Sequence, residues 1–145
     1  MAELRPRRDD YAEILRSVFA DVPFHRTLNL ALDEVRPGFV SVYMTPDEHL
    51  MQHAGFLHAG ALIGLADAAA GAAAFTLMAE GERLLSANFA VSMLRPGSSE
   101  RLRAEGRVIK AGKRLYFTEA KVYDAGGEAA DERLLVSASI TMSVA

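Results

Sequence analysis

The stretch His58-Ala-Gly-Ala-Leu-Ile-Gly-Leu-Ala-Asp67-Ala-Ala-Ala-Gly-Ala-Ala-Ala-Phe-Thr-Leu-Met-Ala79 decides the fold. It is apolar on every helical face, so it predicts a helix over 59–79 that is buried all round and stopped at Gly81. Its many Ala and Gly residues let neighbouring backbones come close. Asp67 is its only acidic or basic residue apart from the leading His58. Burying a lone carboxylate costs several kcal/mol, roughly, unless a partner or a reaction compensates. The stretch is also long enough to suggest a membrane span, with Gly60 and Gly64 as a small-xxx-small pair. Alanine contributes little insertion energy and Asp67 lies near the middle, so a soluble core helix is expected.

Outward from this helix the chain alternates apolar and polar residues with period two. Downstream, strands are expected over Leu84–Leu94, Arg101–Lys110, Leu115–Asp124 and Val136–Val144, with turns at Pro96-Gly97, Ala111-Gly112 and Gly126-Gly127. In the first, Ser86, Asn88, Ala90 and Ser92 alternate against Ala87, Phe89, Val91 and Met93. Upstream, Leu28–Arg36 and Phe39–Met44 read as a hairpin turned at Pro37-Gly38. An amphipathic helix is expected over 9–20, capped by Asp9 or Asp10 and ended by Pro23. A polar loop, Thr45–Phe56, holds His49 and His53. One buried helix with about six antiparallel strands is an α+β domain. The economical packing is a curved sheet wrapped around the helix, with the leading helix over an edge or an end.

The 145 residues fit one domain with a real core, expected to span 1–145. A net charge of −3 argues against a nucleic-acid binder. The absence of cysteine excludes disulfides, thiolate zinc sites and a cysteine nucleophile. Residues 1–10 carry Arg5, Arg7, Arg8, Asp9 and Asp10 without an apolar run, so no secretory signal is read and the cytoplasm is the expected compartment. His49, His53 and His58 are not in a known ligand spacing, so no metal is expected.

The run Gln52-x5-His58-Ala59-Gly60-x6-Asp67 resembles the Asn-x5-His-Gly-Gly-x6-Asp signature of hotdog-fold acyl-CoA thioesterases of the phenylacetyl-CoA type. The runs Ser86–Gly97 and Val108–Leu115 resemble that family's third strand and following hairpin. Gln52 stands where the commonest form has Asn, and Ala59 replaces the first Gly. The resemblance implies a hotdog fold, hydrolysis of an acyl-CoA to a carboxylic acid and free coenzyme A, and a homodimer. It needs no separate cofactor, because coenzyme A is part of the substrate.

Thioester hydrolysis needs a holder for the oxyanion and a group that delivers water or attacks directly. The free N–H groups of a helix N-terminus suit the first task, with Gly60 the best donor candidate. Asp67 suits the second, as general base or nucleophile. Gln52 is expected to orient water, and Ser86 to hydrogen-bond the water or the carboxylate. His58 is expected to brace the turn. Ala59 and Asn88 are assigned to substrate binding. Lys110, Lys113 and Arg114, around the Gly112 turn, are expected to meet the coenzyme A phosphates, although a solvated hairpin tip is the more common reading of such a cluster. Arg83 and Arg95 lie at other strand ends. Phe89, Met93 and Phe117 read as core or acyl-pocket lining.

Seven residues separate Gly60 from Asp67, roughly 10 Å along a helix. One straight helix cannot easily bring both to one thioester carbon. Two antiparallel helices from two subunits can, which predicts a C2 dimer with composite sites, alone or within a tetramer. Two other functions fit the same residues. An acyl-thioester dehydratase or hydratase would pair His58 with an acid, and a non-catalytic acyl-CoA binding protein would not depend on Asp67.

Overall fold

The structure is a computed structural model and describes residues 3–98, 100–127 and 132–145. Helix α1, Tyr11–Asp21, buries Leu15 and Phe19. The Asp10 carboxylate does not cap it, because Arg8 takes it at 2.6 Å. Val22 is held extended by the proline that follows, and Pro23 opens a second short helix, α2, Pro23–Thr27. Thus Pro23 starts a helix as well as ending one. Strands β1, Leu30–Arg36, and β2, Phe39–Met44, form the expected hairpin. Gly38 there takes φ 73°, the conformation that the position after Pro37 in this turn requires.

Helix α3 spans Ala59–Phe75 and ends four residues before Ala79, the expected end. Thr76 explains the early stop. Its hydroxyl donates to the Ala73 carbonyl at 2.6 Å and accepts from Gly38 N–H at 2.8 Å, which ties the helix end to the β1–β2 turn. Gly81, with φ 82°, serves the next turn instead. Four strands follow: β3, Leu84–Met93; β4, Leu102–Ala111; β5, Leu115–Asp124; and β6, Arg133–Val144. The last begins three residues before Val136.

All pairings are antiparallel, in the order β1-β2-β4-β5-β6-β3. The sheet lays one face on α3, burying Val40, Val42, Leu102, Val122 and Ile140 against Leu62 and Leu65. This is the expected α+β hotdog arrangement, with α1 packed on β1 and α3. Contact is closest at Gly106, where a Cβ would overlap the Ala69 carbonyl. Only glycine lets β4 approach the helix backbone there. The outer face carries stacked charges instead: Arg101 lies 3.7 Å over the Tyr43 ring and Arg103 pairs with Glu105 and Glu132.

Helix α3 is not buried all round. Ile63, Gly64, Asp67, Gly71 and Phe75 form a partly open stripe on the side away from the sheet centre. No helix among the described residues is long and apolar enough to cross a membrane.

The two edges of the sheet differ. β1 carries Asp33, Glu34 and Arg36 and a bulge between Leu32 and Val35, features that discourage pairing with another strand. β3 has neither charge nor proline in ten residues. Its Leu85 is 72% exposed, and Phe89 and Met93 are each 43% exposed.

Candidate active site

Asp67 sits on the open stripe of α3, partly buried, and Ser86 Oγ donates to its Oδ1 at 2.6 Å. Strict alternation along β3 would leave Ser86 on the face opposite Phe89, Val91 and Met93. A bulge between Ser86 and Asn88 changes that. Ser86 pairs with Met142 and Phe89 with Ile140, both buried, so Ser86 shares the helix-facing side with Phe89, Val91 and Met93. Asn88 pairs with Thr141 on the outer face, away from Asp67. The sequence-based assignment of Asn88 beside Ser86 is therefore corrected. Phe117 also lies on the outer face, 42% exposed, and lines neither the core nor a pocket beside Asp67.

A cavity of about 250 Å³ opens beside the Ser86–Asp67 pair, walled by Leu15, Phe19, Phe75 and Met142. His25 also lines it, a residue that sequence reasoning did not single out. Its Nδ1 lies 3.0 Å from the Phe19 carbonyl, which can only accept, so Nδ1 carries the proton and Nε2 is the acceptor in the neutral ring. Burial pushes the His25 pKa below its ordinary value, against smaller opposing effects of the Phe19 carbonyl and the Asp67 charge. Its only signal in the sequence was its place after Pro23, in a helix too short to show periodicity.

The start of α3 is built differently from expectation. His58 is the N-cap, in extended conformation, and its Nδ1 accepts from Gly60 N–H at 2.8 Å. Gly60 is thus engaged by the imidazole. Ala61 and Leu62 N–H both reach the His58 carbonyl. The N–H left without a partner among the described residues is that of Ala59. Because His58 Nδ1 accepts, its proton sits on Nε2, which is a donor. Gln52 lies nearby with its side-chain oxygen on Ala54 N–H, leaving its NH2 group for another partner. Gln52, His58, Ala59, Met93 and Arg95 line a second cavity, of about 650 Å³.

The two cavities share no lining residue. Within one chain the structure joins Asp67 to Ser86, and Gln52 to His58 and Ala59, but leaves the two groups apart at opposite ends of β3.

Lys110, Lys113 and Arg114 are exposed around the β4–β5 turn. Arg114 C=O accepts from Val144 N–H at 2.8 Å, and Arg83 pairs with Ala145, so Arg83 joins this basic corner. Leu115 pairs with Ser143, and Ser143 with Leu85, which puts the corner at the Ser86 end of β3. None of these four side chains has an acidic partner among the described residues. Among the described residues no three His, Asp or Glu side chains converge as metal ligands.

A thin open sheet around one helix, with a carboxylate on that helix, defines the class, and comparison with known proteins gives the family. Residues 54–130 match the family model described as the thioesterase superfamily, and the chain belongs to that family as a thioester hydrolase of the hotdog fold. A thioesterase family protein from Silicibacter pomeroyi is 35% identical, with 92% of this chain and 97% of that one covered and a TM-score of 0.86. A Haemophilus influenzae thioesterase shares the fold at 20% identity, with 99% and 95% covered and a TM-score of 0.83. A Thermoplasma volcanium protein provisionally named as an esterase is 26% identical over 110 residues, 76% of this chain and 82% of its own.

Proposed function

We propose that the chain is an acyl-CoA thioesterase akin to the phenylacetyl-CoA type, hydrolysing an acyl-CoA thioester as one domain over residues 1–145, in a homodimer with two composite sites. The observation that carries the reading is the Ser86–Asp67 hydrogen bond at 2.6 Å on the open stripe of α3. The Ser86 hydroxyl fixes Oδ1 and leaves Oδ2 for the reaction. Asp67 delivers water to the thioester carbon, either by taking its proton or by attacking first and being released by water. The carbonyl oxygen becomes an oxyanion held by Ala59 N–H, with the His58 Nε2–H as a second donor. Collapse expels the coenzyme A thiolate, which takes up the proton and leaves as free thiol. The carboxylic acid is the other product.

Assembly follows from the bare edge. Two β3 strands paired antiparallel about Ala90 would set the bulge at Ser86 of one chain opposite Met93 of the partner subunit, with the helix-facing residues of both chains on one side. That brings Asp67 toward Gln52, His58 and Ala59 of the partner subunit. It also covers the exposed β3 residues, which alone favours association at roughly 25 cal/mol per Å² of apolar area. The basic corner of Arg83, Lys113 and Arg114 is our candidate for the coenzyme A phosphates, with Lys110 beside it.

The test is free-thiol release from short, medium and aromatic acyl-CoA thioesters, wild type beside Asp67→Asn. Turnover by the wild type with a loss of about a hundred-fold or more in the variant supports the reading. An enoyl absorbance change without thiol release would favour a hydratase. Binding without turnover would favour a carrier.

A further inference from the structure

A third cavity, of about 780 Å³, lies between residues 3–7, the chain just past α3 and the end of β4, and it shares no lining residue with the other two. Its volume is that of a small-molecule pocket. Leu4, Leu77, Val108, Ile109, Ala111 and Tyr116 give it apolar walls. A bulge between Val108 and Lys110 lets β4 present two consecutive apolar residues, Val108 and Ile109, to it. The wall made by residues 3–7 is held at two points. Leu4 rests on Gly38, where a Cβ would overlap its side chain, and Arg7 Nε donates to the Leu77 carbonyl at 3.1 Å. Charge reaches the lining through Glu3, Arg5, Arg7 and Lys110. Glu3 pairs with Arg5 and Glu82 with Arg7, whereas Lys110 has no acidic partner among the described residues. Tyr116 is only 2% exposed. Its hydroxyl accepts from Arg7 Nη2 at 3.1 Å, and no group among the described residues accepts its own proton.

We infer that this cavity is a second ligand site, separate from the active site, and that it takes a free carboxylate with an apolar tail. The walls suit the tail, through Leu4, Leu77 and Ile109. The head is set by what the lining leaves unanswered, one ammonium and one buried phenol proton. Both are donors, and a carboxylate accepts from each with the gain of a charged acceptor. A cationic head would be repelled by Lys110 and Arg7. A neutral head would gain nothing from the Lys110 charge. A phosphate dianion would bring a second charge with no second unpaired cation in the lining to meet it. Lys110 also stands beside the basic corner, so coenzyme A is the competing occupant, and the test separates the two. The inference uses no other group of the proposed active site and holds whether or not the chain hydrolyses thioesters.

The experiment is calorimetric titration of the whole chain with decanoate and with decylamine, the first repeated in saturating coenzyme A. Decanoate should bind about ten-fold or more tighter than decylamine, and coenzyme A should leave its affinity within about two-fold. Ile109→Glu places a carboxylate in the cavity wall at a residue that is 44% exposed, so the core is not disturbed. Tyr116→Phe keeps the ring and removes only the hydroxyl. Each variant should weaken decanoate by about ten-fold or more, since one repels the head and the other deletes a donor to it. Two variants at different walls, each checked by its melting curve, keep a folding defect in one from deciding the matter. No decanoate binding, equal affinity for decylamine, or affinity unmoved in both variants overturns the inference. Displacement of decanoate by coenzyme A overturns it too, by assigning the cavity to the thioester substrate.

Discussion

A mixture of two inactive variants should recover activity that neither has alone. The first is Asp67→Asn, which keeps size and shape but removes the carboxylate. The second is Ala59→Pro. Ala59 is the first helical residue of α3, its N–H has no partner among the described residues, and the preceding His58 is extended with ψ 140°. Proline is tolerated at that position and removes only the N–H. Loss of one oxyanion donor costs about 10²–10³ in kcat, and loss of the base costs about 10²–10⁴. In a dimer whose sites join Asp67 of one chain to Ala59 of its partner, each mixed dimer has one intact site and one doubly damaged site. Random re-association makes about half the dimers mixed, so about a quarter of wild-type activity should return. The assay is thiol release after the two variants are mixed, dissociated in mild denaturant and re-associated. A mixture no more active than the mean of its components would refute the composite site, because a site within one chain gains nothing from mixing. Melting curves for both variants close to wild type are the control.

Further perturbations separate the roles of single residues. Ser86→Ala removes a hydrogen bond to a charged acceptor and should cost about 1.5–3 kcal/mol, roughly ten- to a hundred-fold in kcat, yet add little to Asp67→Asn; additive losses would show that Ser86 acts elsewhere. Gly106→Ala forces β4 off the Ala69 carbonyl and should destabilise by about 3 kcal/mol, some 10 °C in Tm, whereas a melt within 2 °C, roughly, would mean that the contact relaxes freely. Charge reversal at Lys113 and Arg114 should raise KM for acyl-CoA with little change in kcat, and an unchanged KM removes them from the site. Burial depresses the His25 pKa in the folded chain, so the unfolded chain binds the extra proton first; its contribution to stability is present above the unfolded value and is lost as pH falls below about 6.5. His25→Gln should flatten the drop in Tm between about pH 7 and pH 5, and an equally steep drop would assign it to other groups.

The parts legible in the sequence are those in which local pattern and tertiary packing agree. The apolar run of α3 can only be a core element, and period two in β4 and β6 matches one buried face. What escaped was set by partners distant in sequence. The end of α3 depends on Thr76 meeting Gly38, and nothing in Thr76-Leu77-Met78-Ala79 itself forbids more helix. The face of Ser86 depends on one bulge, invisible to alternation, that turns Asn88 outward. The donor at the helix start depends on an imidazole turning onto its own cap, which engages Gly60 and frees Ala59. His25 enters the site only because α2 folds back over α3, and five residues carry no helical period. Asp67 was legible because a lone carboxylate in an apolar helix breaks a rule that the rest of the helix keeps.

The departures from local good sense in this chain lie together. One sheet edge is guarded by Asp33, Glu34, Arg36 and a bulge, so the means of blunting an edge are present in this sequence. They are withheld from β3, the longer and more apolar edge, and Ser86 and Met93 near its two ends mark the two halves of the site. A charge on β3 would protect a monomer against aggregation at small cost. Its absence is explained if the edge is used, and pairing with a second copy is the use that also joins Asp67 to Ala59. On that reading assembly and catalysis are one requirement, and Ala90→Lys, which touches neither Asp67 nor the helix start, should abolish both together. A monomeric Ala90→Lys protein that kept full thiol release would separate them and leave the bare edge without its explanation.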